Sequence, residues 1–122
     1  MRRLLEIKTG WVMLILALAL SFPYVGQALT YGNFEYLVTT NSTVTITNYT
    51  GASSSVTIPS LIDNKPVTIL GTRSFANASF THISIPNTVI RIENAAFWYC
   101  GNLIDISIPD SVTSIERNVF WG

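Results

Sequence analysis

The chain has 122 residues, with seven basic and seven acidic side chains, one histidine and one cysteine. That length supports one small domain, and the sparse, balanced charge lacks the basic stripe that nucleic acid requires. A single cysteine excludes an internal disulfide. One histidine with scattered carboxylates supplies no metal-ligand set, and no motif asks for a cofactor.

The first 28 residues read as a secretory signal peptide. Arg2, Arg3 and Lys8, with Glu6 among them, precede an unbroken apolar run, Trp11–Leu20. Pro23 closes that run, and Gly26 and Ala28 stand at the −3 and −1 positions of a cut before Leu29. Charge, apolar core and small residues in that order mark an exported chain. The core is about half the ~20 residues a spanning helix needs, so no stable membrane span is expected after cleavage. Downstream the chain keeps Lys65, Arg73, Arg91 and Arg117 against Glu35, Asp63, Glu93, Asp105, Asp110 and Glu116. Four cations against six anions leave a net charge of −2. Little charge amid abundant Ser, Thr and Asn suits an extracellular, β-rich surface.

Residues 29–55 are expected to form a β-hairpin. Phe34, Tyr36 and Val38 alternate onto one face, Thr39–Thr43 is polar and turn-like, and Val44-Thr-Ile-Thr47 alternates again. Period-two alternation bounded by polar clusters argues strands. Such a hairpin would cap the core that follows.

The rest of the chain is organised by repetition. Ile83–Phe97 (ISIPNTVIRIENAAF) returns as Ile106–Phe120 (ISIPDSVTSIERNVF), a step of 23 residues. Ile83, Ile85, Pro86, Val89, Ile92 and Phe97 all recur at that step. A looser copy precedes them: Val56, Ile58, Pro59, then Val67, Leu70 and Phe75, with a surface turn expected at Asn64-Lys65-Pro66. Self-similarity at this period is the signature of a solenoid. Coils are expected at residues 56–79, 80–102 and 103–122. In each, paired β-branched residues point inward and the residue between them points out. Proline, lacking an N–H, ends the strand. Phe75, Phe97 and Phe120 fill the far side.

These residues resemble the BspA-like leucine-rich repeat family of secreted bacterial and some protist proteins. Its pattern is L-x-x-I-x-I-P-x-x-V-x-x-I-x-x-x-A-F-x-x-C. Leu103, Ile106, Ile108, Pro109, Val112, Ile115 and Phe120 fall on it, as do Ile83, Ile85, Pro86, Val89, Ile92, Ala96, Phe97 and Cys100. The resemblance covers nearly all of Tyr31–Gly122. It departs at Ala78, where the pattern has cysteine in a repeat one residue short, and at Trp121-Gly122, in mid-repeat. It implies a mostly β, right-handed leucine-rich-repeat solenoid of two to three coils with an N-terminal hairpin cap. It also implies a secreted or cell-surface, non-catalytic module of the adhesion type, holding a protein or glycan ligand. The alternative is a structural or assembly element, or a piece of a longer repeat array.

In register, Ser55, His82 and Asp105 form one outward column, and Thr57, Ser84 and Ser107 the next. A hydrolase triad needs convergent geometry, an oxyanion hole and a pocket. A column on an open sheet offers none of these, so a polar ladder is expected. His82, Ser84, Asp105 and Ser107 are therefore candidate binding residues, together with Trp98, Tyr99 and Trp121, since exposed aromatic groups can grip sugars or proteins. Cys100 reads as a small core residue. The sequons at Asn41, Asn48 and Asn77 are incidental in a chain this rich in Asn, Ser and Thr. The last coil, short of a neighbour, is expected to self-associate.

Overall fold

The computed structural model describes residues 28–122; the expected leader, as far as Gln27, lies outside the described residues. Ten short strands follow one another: β1 (Leu29–Tyr31), β2 (Phe34–Val38), β3 (Val44–Tyr49), β4 (Ser55–Thr57) and β5 (Leu61–Ile62), then β6 (Lys65–Leu70), β7 (His82–Ser84), β8 (Arg91–Ile92), β9 (Asp105–Ser107) and β10 (Ser114–Ile115). They build a β-solenoid of about three turns, and its described residues contain no helix.

Each turn has three sides, and each side is tied to the next turn by hydrogen bonds. The first side is the parallel sheet β4-β7-β9, in which Val56, Ile83 and Ile106 align. The second is the parallel run β6-β8-β10, where Leu70 aligns with Ile92 and Ile92 with Ile115. The third side is made of turns. Phe75 N–H donates to Ala96 O at 2.9 Å and Phe97 N–H to Val119 O at 2.9 Å, flanked by equivalent bonds from Arg73, Asn77, Ala95 and Tyr99. This side runs at 22 residues between the first two coils and 23 between the next two. Its backbone follows one recipe, with positive φ at Arg73, Ala95 and Asn118, and again at Asn77, Tyr99 and Gly122.

The cap is larger than a hairpin. β1 adds a third antiparallel strand, and β3 pairs in parallel with β6, so the cap extends the second side of the solenoid. Thr47 is an extra residue between Ile46 and Asn48 opposite Tyr36 and Glu35, and this bulge bends the cap over the core. Phe34, Tyr36, Val44 and Ile46 are buried by it. Val38 does not share the buried face expected of it. It lies at the end of β2, beside the Thr39–Thr43 turn, and is exposed. The surface turn in the first coil starts one residue earlier than expected, at Asp63-Asn64, both at positive φ, and joins β5 to β6 as a two-residue hairpin. Lys65 and Pro66 then lie on β6.

The core is a set of columns. Phe75 stacks on Phe97 at 5.2 Å, Phe97 on Phe120 at 5.5 Å, and Phe80 meets Phe75 and Phe97 edge-on. Cys100 is buried as expected, and its thiol donates to Phe75 O at 3.0 Å. Burial pushes the thiol's pKa up, against a smaller opposing hydrogen bond from the Ala78 backbone.

Carboxylates that the repeat pattern did not flag also bind coil to coil. Glu93 accepts from Thr72 N–H at 3.1 Å, and Glu116 accepts from Asn94 N–H at 3.0 Å. Glu93 also pairs with Arg91 at 2.7 Å. In the first coil this position is Gly71, because the cap lies against it: a Cβ there would sit 2.7 Å from Ile46 O.

One core position departs from its repeat. Ser74 is wholly buried and its hydroxyl has no partner, whereas the equivalent positions hold Ala96 and Val119. An unpaired buried hydroxyl costs about 1–3 kcal/mol. Ser74→Ala is therefore expected to raise stability by about 1 kcal/mol. Thermal melting would check this, and a clear loss of stability would show that the hydroxyl is satisfied.

Candidate functional site

β4, β7 and β9 set their central residues, Val56, Ile83 and Ile106, toward the core, so their neighbours must face out. The outward columns are Ser55, His82 and Asp105, and Thr57, Ser84 and Ser107. All six are exposed. The result is a flat polar face of three strands spaced by ~4.8 Å, edged by Pro59, Pro86 and Pro109. Most of its side chains are small and carry hydroxyls, and its charges are Asp105 and, past the prolines, Asp110.

The line of Ser55, His82 and Asp105 is a ladder along the axis and does not converge on a point. His82 Nδ1 lies 2.8 Å from the Thr81 hydroxyl, which also lies 3.0 Å from Ser54 O. Among the described residues no hydrogen bond joins His82 to Ser55 or Asp105. His82→Ala is therefore expected to leave the melting temperature within experimental scatter, as surface changes usually do. A large drop would mean that His82 holds the strands together.

The aromatic candidates form a ledge on the turn side. Trp98 and Trp121 occupy equivalent positions and stack at 6.4 Å with 11° between their planes. Arg73, one coil earlier, sits over the Trp98 ring at 4.8 Å. Trp98 thus has a cation on one side and an indole on the other, and little of its face is left for a ligand. Tyr99 stands edge-on to both indoles, at 4.5 and 5.8 Å. The accessible aromatic surface belongs to Tyr99, 50% exposed, and Trp121, 59% exposed. Tyr99 itself takes a positive φ, as do the equivalent Asn77 and Gly122.

A third surface lies at the end of the last coil. An open concavity of about 360 Å³ is lined by Phe97, Cys100, Leu103, Ile106 and Phe120, among others. Ile104 beside it is 78% exposed. Among the described residues no group of three or more histidine, cysteine or acidic side chains gathers as metal ligands would.

Comparison with known proteins agrees with this geometry. The model of the BspA type leucine rich repeat region matches residues 27–122 in six copies. A leucine rich cell surface protein from Faecalibacterium prausnitzii has a similar structure: TM-score 0.69 and 34% identity, over 77% of this chain and 27% of that one. A leucine rich repeat protein of T. pallidum gives a TM-score of 0.73 and 31% identity, over 78% and 45%. A leucine-rich repeat protein from Bacteroides capillosus shares the fold at 24% identity and a TM-score of 0.65, over 77% and 91%. The chain therefore spans about a quarter of the length of the first and less than half of the second. No curated protein matches it. Six matched repeats, the in-register isoleucine columns and the stacked phenylalanines together place the chain in the BspA-type leucine-rich-repeat family.

Proposed function

We propose that this chain is a non-catalytic interaction module, exported by its N-terminal leader and acting outside the cell or at its surface, where it holds a protein or glycan ligand. The observation that carries this reading is the outward polar face of β4, β7 and β9, with His82 and Ser84 on its central strand and Asp105 and Ser107 beside them. Serine and threonine lose little rotamer freedom when a partner settles on them. They offer donors and acceptors at a regular spacing, suited to reading an extended partner. Tyr99 and Trp121 add an apolar margin. Export is supported by the order of charge, apolar core and small residues in the leader. The first strand starts at Leu29, so a cut before it would leave every strand whole. One solved relative is itself described as a cell surface protein.

The test is to probe arrayed glycans and purified extracellular proteins with the exported protein and two variants. Ser84→Arg, at the centre of the polar face, is expected to abolish binding. If binding survives it but fails in Tyr99→Ala/Trp121→Ala, the ledge is the site. If no ligand is retained above background, the binding reading falls. N-terminal sequencing of the exported protein is expected to start at Leu29.

A further inference from the structure

We propose that the polar face takes an uncharged glycan, whose neighbouring hydroxyls donate to His82 Nε2 and to the Asp105 carboxylate; this rests on the interaction-module reading and names its ligand class. The central strand of the face, β7, has β4 on one side and β9 on the other. The outward exposure of His82 and Ser84 therefore owes nothing to either end of the solenoid.

The hydrogen bonds around Thr81 fix which nitrogen of His82 carries the proton. The Thr81 hydroxyl lies 3.0 Å from Ser54 O and 2.8 Å from His82 Nδ1. A carbonyl oxygen only accepts, and a hydroxyl has one proton to give. The hydroxyl therefore donates to Ser54 O, and Nδ1–H donates to the hydroxyl. With no proton on Nδ1, two lone pairs would face each other across 2.8 Å. Thr81 is itself held, since its N–H also donates to Ser54 O, at 2.8 Å. In the neutral imidazole the other nitrogen is then bare. His82 thus presents Nε2 to the face as an acceptor.

A second acceptor stands beside it. Asp105 is the partner of His82 in the parallel register, one strand spacing of ~4.8 Å away. Among the described residues no hydrogen bond holds its carboxylate. Ser84 and Ser107 pair in the same way and add hydroxyls that give or take. Of the six outward side chains only the His82 ring carries an N–H, and that one is committed to Thr81.

A sugar ring meets this pattern, because each of its adjacent hydroxyls has a proton to donate and lone pairs to receive. An anionic glycan does not. Lys65 lies on β6, Arg91 on β8, and Arg73 and Arg117 on the turn side, so no cation on this face offsets Asp105. A protein partner is poorly matched too. Protein interfaces are anchored by aromatic, Met and Arg side chains and are depleted in Ser and Asp. None of the six outward residues is apolar, and one exposed carboxylate gains little from a lysine.

The test passes the exported protein over surfaces carrying dextran, mannan, galactan or xylan, with dextran sulfate and polylysine as charged counterparts. Retention is expected on at least one neutral polymer and on neither charged one. His82→Gln, which can offer an amide oxygen in place of Nε2, is expected to keep most of the affinity. His82→Phe and Asp105→Asn are each expected to weaken it about tenfold, the worth of one hydrogen bond. Circular dichroism checks that each variant is folded. Nitrogen-15 spectra of the neutral imidazole are expected to show the proton on Nδ1. A bare Nδ1, or equal losses in His82→Gln and His82→Phe, would overturn the acceptor role and this proposal. Preference for a charged polymer, or a purified protein retained through Ser84 when no neutral polymer is, would leave the interaction module standing and overturn its ligand class. Retention of no glycan and no protein would overturn both.

Discussion

Phe97→Ala is expected to lower the stability of the domain by about 3–5 kcal/mol. Phe97 is 1% exposed and sits midway in the aromatic column, 5.2 Å from Phe75 and 5.5 Å from Phe120, with Phe80 against its edge. Removing the ring loses its burial and leaves a void between three other rings. Those rings cannot close on it, because the hydrogen bonds from Phe97 N–H to Val119 O and from Phe75 N–H to Ala96 O fix the coil spacing. Domains of this kind are stable by only about 5–15 kcal/mol in all, so the loss approaches the total. Urea titration followed by circular dichroism would read it, with Ser84→Ala as the control. That serine points outward on β7 and is expected to change little. Equal midpoints for the two variants would show that the core columns are assigned to the wrong residues.

Tyr36→Phe is expected to cost about 1.5–3 kcal/mol, the range for a hydrogen bond to a charged group. Tyr36 is 3% exposed, and its hydroxyl donates to Asp63 Oδ2 at 2.5 Å. That bond ties β2 of the cap to the turn between β5 and β6. The variant keeps the ring and its packing, so the lost bond is what is measured. The hydrogen bond to Asp63, then burial, then the negative charge of Asp63 push the Tyr36 pKa from 10.0 up to about 12. The folded value lies above the unfolded one, so the stabilisation is complete below pH 10 and is lost as the pH rises toward 12. The stability gap between wild type and variant should accordingly stay constant at neutral pH and narrow across that alkaline window. A gap that is absent at pH 7 would mean the bond contributes nothing net.

The two predictions rest on features that were unequally legible in the sequence. The Phe97 column could be read directly, because Phe75, Phe97 and Phe120 recur with their flanking isoleucines and one coil must stack on the next. The register of His82 on Asp105 and the adjacency of Trp98 and Trp121 came from the same period. The Tyr36–Asp63 bond could not be read, since it joins residues 27 apart outside any repeat. β8 and β10 were hidden for a different reason. Two residues are too few to show alternation, and they are strands only because neighbouring coils hold them in line. β1, at three residues, is scarcely longer. The glutamates at 93 and 116 do recur, but a carboxylate at a repeat position looks like surface charge until the backbone it reaches is in view. The unpaired Ser74 is the converse case. Its mismatch with Ala96 and Val119 stands in the sequence, yet only burial shows that it matters.

The β1-β2-β3 cap over the first coil also sets how the described residues come apart. Coils couple only to their neighbours, so local opening starts where a neighbour is lacking. Val67 and Val89 are wholly buried, while their equivalent Val112 is only partly so; Leu70 and Ile92 are wholly buried, while Ile115 is half exposed. Amide hydrogens of β9 and β10 should therefore trade with deuterium first, those of β7 and β8 later, and those of β3 and β6 last of all. Time would be written along the axis of the molecule.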